Sequence, residues 1–322
     1  MSTKYDDEDF TYKDFKDEDC FVTSGYSSLL SKELQAYQLS DSVILGEQVS
    51  LVDYSIPGQV VVTTKHNASY IASYVLVTFS TGVLQSGTVE FRPPPPVDKF
   101  SYFKMAVYSK VYMQFPEVFW DDEEEFIGFV SSKDTPDFVP FPIILNLNHQ
   151  KYFPGSRILH FPGTGEYALA IEKQSQQTTV KQIRQYLENL YNTSIPEPTE
   201  VIISSWHNNS FTYGSYSYYG VGDSPKAVEN LAEPLRNSVF FAGEAVTKKY
   251  AGYVHGAWLS GQHAAELIVS HMESVSTHPT QLEALPLVVA AATCLGVAFL
   301  TFLVVVLLPW AWHRRKMLLI EP

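Results

Sequence analysis

The chain has 322 residues, of which 45% are hydrophobic and 14% aromatic, with a formal net charge of −13. That length holds about two domains with apolar cores, which excludes wholesale disorder. The acidic balance, with no cluster of Lys and Arg interleaved with aromatics in the folded part, argues against nucleic acid as a partner.

In chain order, residues 1–20 read as an acidic tail. Its runs at 6–9 and 17–19, like a further run at 121–125, suit solvated surface or a negative field that steers a cationic substrate. Residues 43–52 and 59–64 are β-rich stretches joined across Pro57-Gly58, and they predict a hairpin. Residues 70–79 read as one further strand, buried on both faces at its apolar end. Pro93–Pro96 is a rigid extended connector that marks a crossing between two domains. Strands are expected at 105–115, 126–130, 143–147 and 158–161. Val180, Ile183, Leu187, Leu190 and Tyr191 share one helical face, so 178–191 predicts an amphipathic helix. Ser224-Pro225 opens a short helix through Leu231, 239–242 is a brief buried strand, and 252–270 is a helix rich in small residues.

From Ala284 to Trp312 there is no Asp, Glu, Lys, Arg or His. About 20 helical residues span a ~30 Å hydrocarbon core, so 285–310 predicts a transmembrane helix after a linker at 275–284. Trp310 and Trp312 supply interfacial aromatics, and His313, Arg314, Arg315 and Lys316 open a basic tail at 311–322. The expected partners therefore include membrane lipid, on a single-pass anchor. Orientation stays open. The basic flank and the sequons at Asn67, Asn192 and Asn208 put the body in the lumen or outside, whereas the lack of an apolar leader in Met1–Asp19 suits a cytosolic, tail-anchored body. Cys20 and Cys294, at opposite ends, make neither a disulfide framework nor a C-x-x-C pair, and no metal site is expected.

Two glycine patterns bear on cofactor chemistry. Gly163-Thr164-Gly165 approaches a phosphate-binding fingerprint, but Pro162 interrupts the entry and no acidic strand end follows about 20 residues on, so it reads as an ordinary loop. In Phe240–Ala245 and Tyr250–Gly261 a short apolar strand runs into Gly243-Glu244, and a helix follows whose glycines permit close approach. Such a helix start suits an electron-rich cofactor edge, and its glycines equally suit tight packing.

That segment resembles the C-terminal flavin-binding signature of the flavin-dependent amine oxidases, polyamine oxidase type. Asp53-Tyr54, residues 74–78, residues 82–86, Phe91-x-Pro93 and residues 110–120 agree with the family in the same order. The resemblance, covering roughly 21–271, implies non-covalent FAD, because Ser215 stands where monoamine oxidases carry the cysteine bonded to it. It implies Lys110 beside the flavin N5 and Tyr216 and Tyr253 as aromatic walls around the amine. It also implies flavin contacts at Val49, Trp206, Gly243, Glu244 and Val254.

The fold class that follows is α/β (α+β): the C-terminal part of an FAD/NAD(P)-binding-like domain plus a mixed-sheet substrate domain over 21–274, then the membrane helix. The implied reaction oxidises a polyamine or other amine at a C–N bond with O2, giving an imine and H2O2. The family's G-x-G-x-x-G segment is missing. Strand faces such as Val75–Thr78 are therefore expected to lack partners, and a catalytically inactive membrane remnant acting in interaction or regulation is the alternative.

Overall fold

The computed structural model describes residues 24–276 apart from 38, 40–41, 102, 129–140, 222, 224–225 and 249, together with residue 22 and segments 288–290 and 318–320. The chain divides into two units, one comprising Met1–Met105 with Ser210–Pro322, the other Ala106–Asn209. The acidic tail, both cysteines and the Ser224-Pro225 cap lie outside the described residues.

The first unit begins with α1 (Tyr26–Ala36) and β1 (Val43–Ile44). The predicted hairpin follows as β2 (Val49–Asp53) and β3 (Val60–Thr64), antiparallel, with Val52 opposite Val62. Val60, Val62 and Thr64 alternate inward along β3, the period-2 burial that fixes its register.

The stretch expected as one strand over 70–79 is two. β4 (Ser69–Ala72) continues the antiparallel sheet against β3, whereas β5 (Val75–Val77), buried throughout, belongs to a parallel sheet. Half-exposed alternation suits an antiparallel sheet, and a continuous apolar triplet suits a strand covered on both faces.

Helix α2 (Thr81–Ser86) starts at Ser80, whose Oγ accepts the Val83 N–H at 3.1 Å, and ends at Gly87 in a left-handed conformation. β6 (Glu90–Arg92) then pairs parallel to β2, and β7 (Phe103–Met105) closes this portion of the chain.

Pro93–Pro96 is not the crossing point, because the division between units falls after Met105. The segment following it is pinned within the first unit. Lys99 donates from Nζ to the carbonyls of Asn230 at 2.6 Å and Leu231 at 3.1 Å, and to that of Glu233. These carbonyls end α5 (Lys226–Ala232), and a cation there complements the negative end of the helix dipole.

The second unit is an antiparallel sheet in the order β12 (Glu200–Ile203), β8 (Tyr108–Gln114), β11 (Ile158–Thr164), β10 (Ile143–Asn146) and β9 (Phe126–Gly128). Helices α3 (Gly165–Lys173) and α4 (Gln176–Tyr191) contribute Ile171, Ile183 and Leu187 to one core with Val111, Met113, Leu159 and Phe161. The Ser175 side chain caps α4 by accepting the Thr178 N–H, which starts the helix two residues before the periodic run. β11 runs on through Pro162, beyond the point where its pairing with β10 stops at His160, so the missing N–H interrupts no ladder with β10.

The first unit resumes with β13 (Ser217–Tyr219), paired to β7, then α5, β14 (Val239–Phe241), a 3₁₀ turn at Glu244–Val246, and α6 (Val254–Ser276). β14 lies parallel to β5, with Phe240 opposite Leu76. On the other edge of β5 lie β15 (Val288–Ala290) and then β16 (Leu318–Ile320) and β1, all parallel.

One expectation is thereby corrected. β5 has a hydrogen-bonded neighbour on each edge, and its side chains are buried on both faces. The transmembrane helix expected over 285–310 lies outside the described residues except Val288–Ala290, and these are extended along β5 rather than helical. Among the described residues no helix is long and apolar enough to cross a membrane.

Candidate active site

In the first unit the carboxyl ends of β5 and β14 open onto a cleft lined by Thr78, Ser80, Thr81, Gly243, Glu244 and Ala245. Clefts outside the carboxyl ends of parallel strands are where open α/β sheets bind ligands. Gly243 enters the cleft with φ 137°, a conformation that L side chains rarely adopt, and nothing lies within 4 Å of where a Cβ would stand. Its N–H donates to Ser260 Oγ at 2.9 Å, and that hydroxyl donates back to the Gly243 carbonyl at 2.8 Å, so α6 fixes the turn.

Glu244 is the organiser of this region. Its carboxylate accepts from the Ser217 N–H at 3.0 Å, the Ser217 hydroxyl at 2.7 Å and the Gly252 N–H at 3.0 Å. Burial pushes this carboxyl up, while the three donors pull against that shift. Ser217 follows Tyr216 and Gly252 precedes Tyr253, so one carboxylate holds the loops that carry both expected aromatic walls. Tyr216 is half-buried and its phenol is raised by burial. Tyr253, 37% exposed, packs against His255 with centroids 5.3 Å apart at 30°.

Val254 is the first residue of α6, where backbone N–H groups have no partner within the helix. Val49 lies at the start of β2 with its side chain in the first unit's core. The glycines serve two purposes. Gly252 takes φ 80°, and a Cβ on Gly256 would stand 2.1 Å from the Tyr250 carbonyl oxygen. Close packing therefore dictates Gly256, and the turn dictates Gly252.

Lys110 and Trp206 belong to the second unit. The Lys110 N–H donates to Ser204 Oγ at 2.7 Å and its carbonyl accepts the Ser204 N–H at 2.9 Å; Trp206, buried, is two residues on. Lys110 Nζ lies 5.6 Å from the centroid of the Tyr108 ring. Burial lowers this amine to about 8, so a minority of it is neutral near physiological pH.

Gly163 and Gly165 are neither a loop nor a phosphate cradle. Gly163 is within β11, where a Cβ would meet Ile171 Cδ1 at 2.8 Å, and Gly165 opens α3. The strand before them is antiparallel to β8, so the parallel βαβ setting of the fingerprint is absent there. Among the described residues no group of three or more His, Cys, Asp or Glu could hold a metal ion.

Ser217, Ser260 and Lys99 escaped the sequence reading. Each acts on a residue far along the chain, and no spacing signal marks such a pair.

The family model for flavin containing amine oxidoreductases matches residues 6–269. Polyamine oxidase 1 of Zea mays is 32% identical over 277 residues, 81% of this chain and 54% of that protein. A solved putrescine oxidase, a triple mutant with redesigned cofactor binding, superposes with a TM-score of 0.58 at 20% identity over 73% of this chain and 51% of its own. Cyclohexylamine oxidase from Brevibacterium oxydans IH-35A gives 0.53 at 18% identity, over 71% and 49%. The chain belongs to the flavin containing amine oxidoreductase family, whose cofactor is FAD. It spans about half the length of the curated relatives it matches.

The cleft fits the closing part of a flavin site, with open space at Gly243 and the buried Glu244 carboxylate beside it.

Proposed function

We propose that this chain serves FAD-dependent oxidation of a polyamine or other amine at a C–N bond, with O2 consumed and H2O2 released. The observation that carries the reading is the Glu244 junction, which fixes the Gly243 turn beside the loops of Tyr216 and Tyr253. Bound flavin would supply the hydride acceptor and return its electrons to O2.

Gly243, Glu244, Val254, Val49 and Trp206 would hold the cofactor. Tyr216 and Tyr253 would flank the amine and orient its α C–H bond. Lys110, lowered to about 8 by burial, can hold or release a proton at Nζ during turnover. In the flavin-loaded protein, Lys110→Met should keep flavin absorbance and cut H2O2 release with amines by about tenfold or more. Unchanged turnover would remove Lys110 from the chemistry.

The second reading, an inactive remnant acting in interaction or regulation, is favoured by Glu244, whose carboxylate already takes three protein donors. FAD titration of the purified chain separates the two, since the remnant should show no saturable shift of the flavin spectrum.

Membrane attachment remains part of the proposal, supported by the absence of Asp, Glu, Lys, Arg and His from Ala284 to Trp312. Exposed sequon positions at Asn67, Asn192 and Asn208 support a luminal or external body. Carbonate extraction tests insertion against the sheet-edge position of Val288–Ala290, and a glycosidase-sensitive mass shift reports the side of the membrane.

A further inference from the structure

Within the first unit, the start of α2 meets the loop at 212–217 with little spare volume. Ser80 Oγ donates to the Thr212 carbonyl at 2.7 Å, and a Cβ on Gly82 would stand 2.4 Å from that same carbonyl oxygen. Gly214, with φ 146°, would put a Cβ 2.6 Å from Met105 Cβ and 2.9 Å from Met105 Cε. Two positions without side chains permit the approach, and the unbranched thioether of Met105 fills the gap that remains.

Met105 is engaged on its other side as well. The Thr81 hydroxyl donates to Met105 Sδ at 2.7 Å, and Thr81 lines the cleft at the carboxyl ends of β5 and β14. The Met105 backbone stands opposite Ser217 where β7 pairs with β13, and Ser217 gives Glu244 two of its three donors. One residue thus joins the wall of the cleft to the strand that supports the Glu244 junction.

This thioether is partly exposed, whereas that of Met113 is fully buried in the core of the second unit. Reachable methionines are a common target of peroxide, and the sulfoxide is polar where the thioether was apolar. Sulfur carries two lone pairs. Thr81 engages one and leaves the other for reaction.

We propose that Met105 is a sulfoxidation site through which hydrogen peroxide loosens the wall of the cleft. The free lone pair of Sδ attacks one oxygen of H2O2, and an S–O bond forms as the O–O bond breaks. The second oxygen leaves as hydroxide and takes the remaining proton from the first to become water. Sulfur loses two electrons and the peroxide gains them. The added oxygen finds no room toward Gly214, so it displaces the Thr81 hydroxyl and shifts the first turn of α2 with it. The proposal rests on the amine oxidase reading for the source of peroxide alone.

The test exposes the full chain to millimolar reagent H2O2 and follows each methionine by peptide mass spectrometry. Sulfoxide should build up about tenfold or more faster at Met105 than at Met113, and the melting temperature should fall by about 3 °C. Met105→Leu, a swap of similar volume that the fold should tolerate, should abolish that fall. Met272→Leu, on α6, should leave it intact. Absence of sulfoxide at Met105 while Met272 is oxidised would overturn the proposal. A fall that persists in Met105→Leu, or an oxidised chain that melts with the parent, would overturn it as well. Added peroxide makes these outcomes independent of amine turnover. Amine and O2 given to the FAD-loaded chain report separately: no H2O2 there, with the added-peroxide results intact, defeats only the oxidase reading.

Discussion

The Glu244 region of the first unit and the Lys110 region of the second prepare an ionisable group by opposite means. Glu244 is buried and surrounded by donors, so its position is set by three hydrogen bonds from two distant loops. Lys110 is fixed through its backbone to Ser204, and its amine is conditioned by desolvation. A hydrogen-bonded junction gives placement; desolvation gives a proton near its balance point at physiological pH.

The largest effect expected on this contrast comes from Glu244→Ala. It leaves the Ser217 and Gly252 donors without their acceptor and should cost about 4 kcal/mol, read as a fall of roughly 10 °C in melting temperature. A variant that melts within a degree or two of the parent would show that the junction does not hold the loops.

A smaller effect concerns Lys110. Its folded value, about 8, lies below the ordinary 10.5, so between those values the unfolded chain binds more protons than the folded one. Stability should therefore rise with pH across that window, by about 2 kcal/mol after discounting for partial exposure. Urea unfolding of the parent minus Lys110→Met at pH 8 and at pH 10 isolates this contribution, and parallel curves would refute burial as the cause.

The smallest is Ser217→Ala, which removes one of the three bonds to Glu244 and keeps the backbone donor. It should cost about 1.5 kcal/mol. A loss as large as that of Glu244→Ala would mean that the hydroxyl, not the carboxylate, organises the cleft.

The local grammar of the chain is readable without coordinates. The valines of residues 49–53 and 60–64 announce their hairpin, and Val180, Ile183 and Leu187 announce α4, because the periodicity of burial is written in neighbouring residues. The break between β4 and β5 is not, since Ser69–Val77 is β-prone throughout and only partner choice divides it. Residues 288–290 teach the same lesson, as hydropathy ranks them for a membrane helix while the edge of β5 accepts them as a strand. At the site, Gly243-Glu244 and the two tyrosines could be found from a resemblance. Their connection through Ser217 and Gly252 could not, because donors 27 and 8 residues from Glu244 follow no repeat.

The second unit is one uninterrupted stretch placed inside the sequence of the first, and this orders events in time. On the ribosome, β5 emerges about 160 residues before its neighbour β14, and at roughly 5–20 residues per second it waits some 8–30 seconds for that partner. Residues 106–209 can close their own core within that interval. An apolar strand that must wait so long is where nascent chains are most exposed to mispairing, and a chaperone that holds it would act before the second half of its sheet exists.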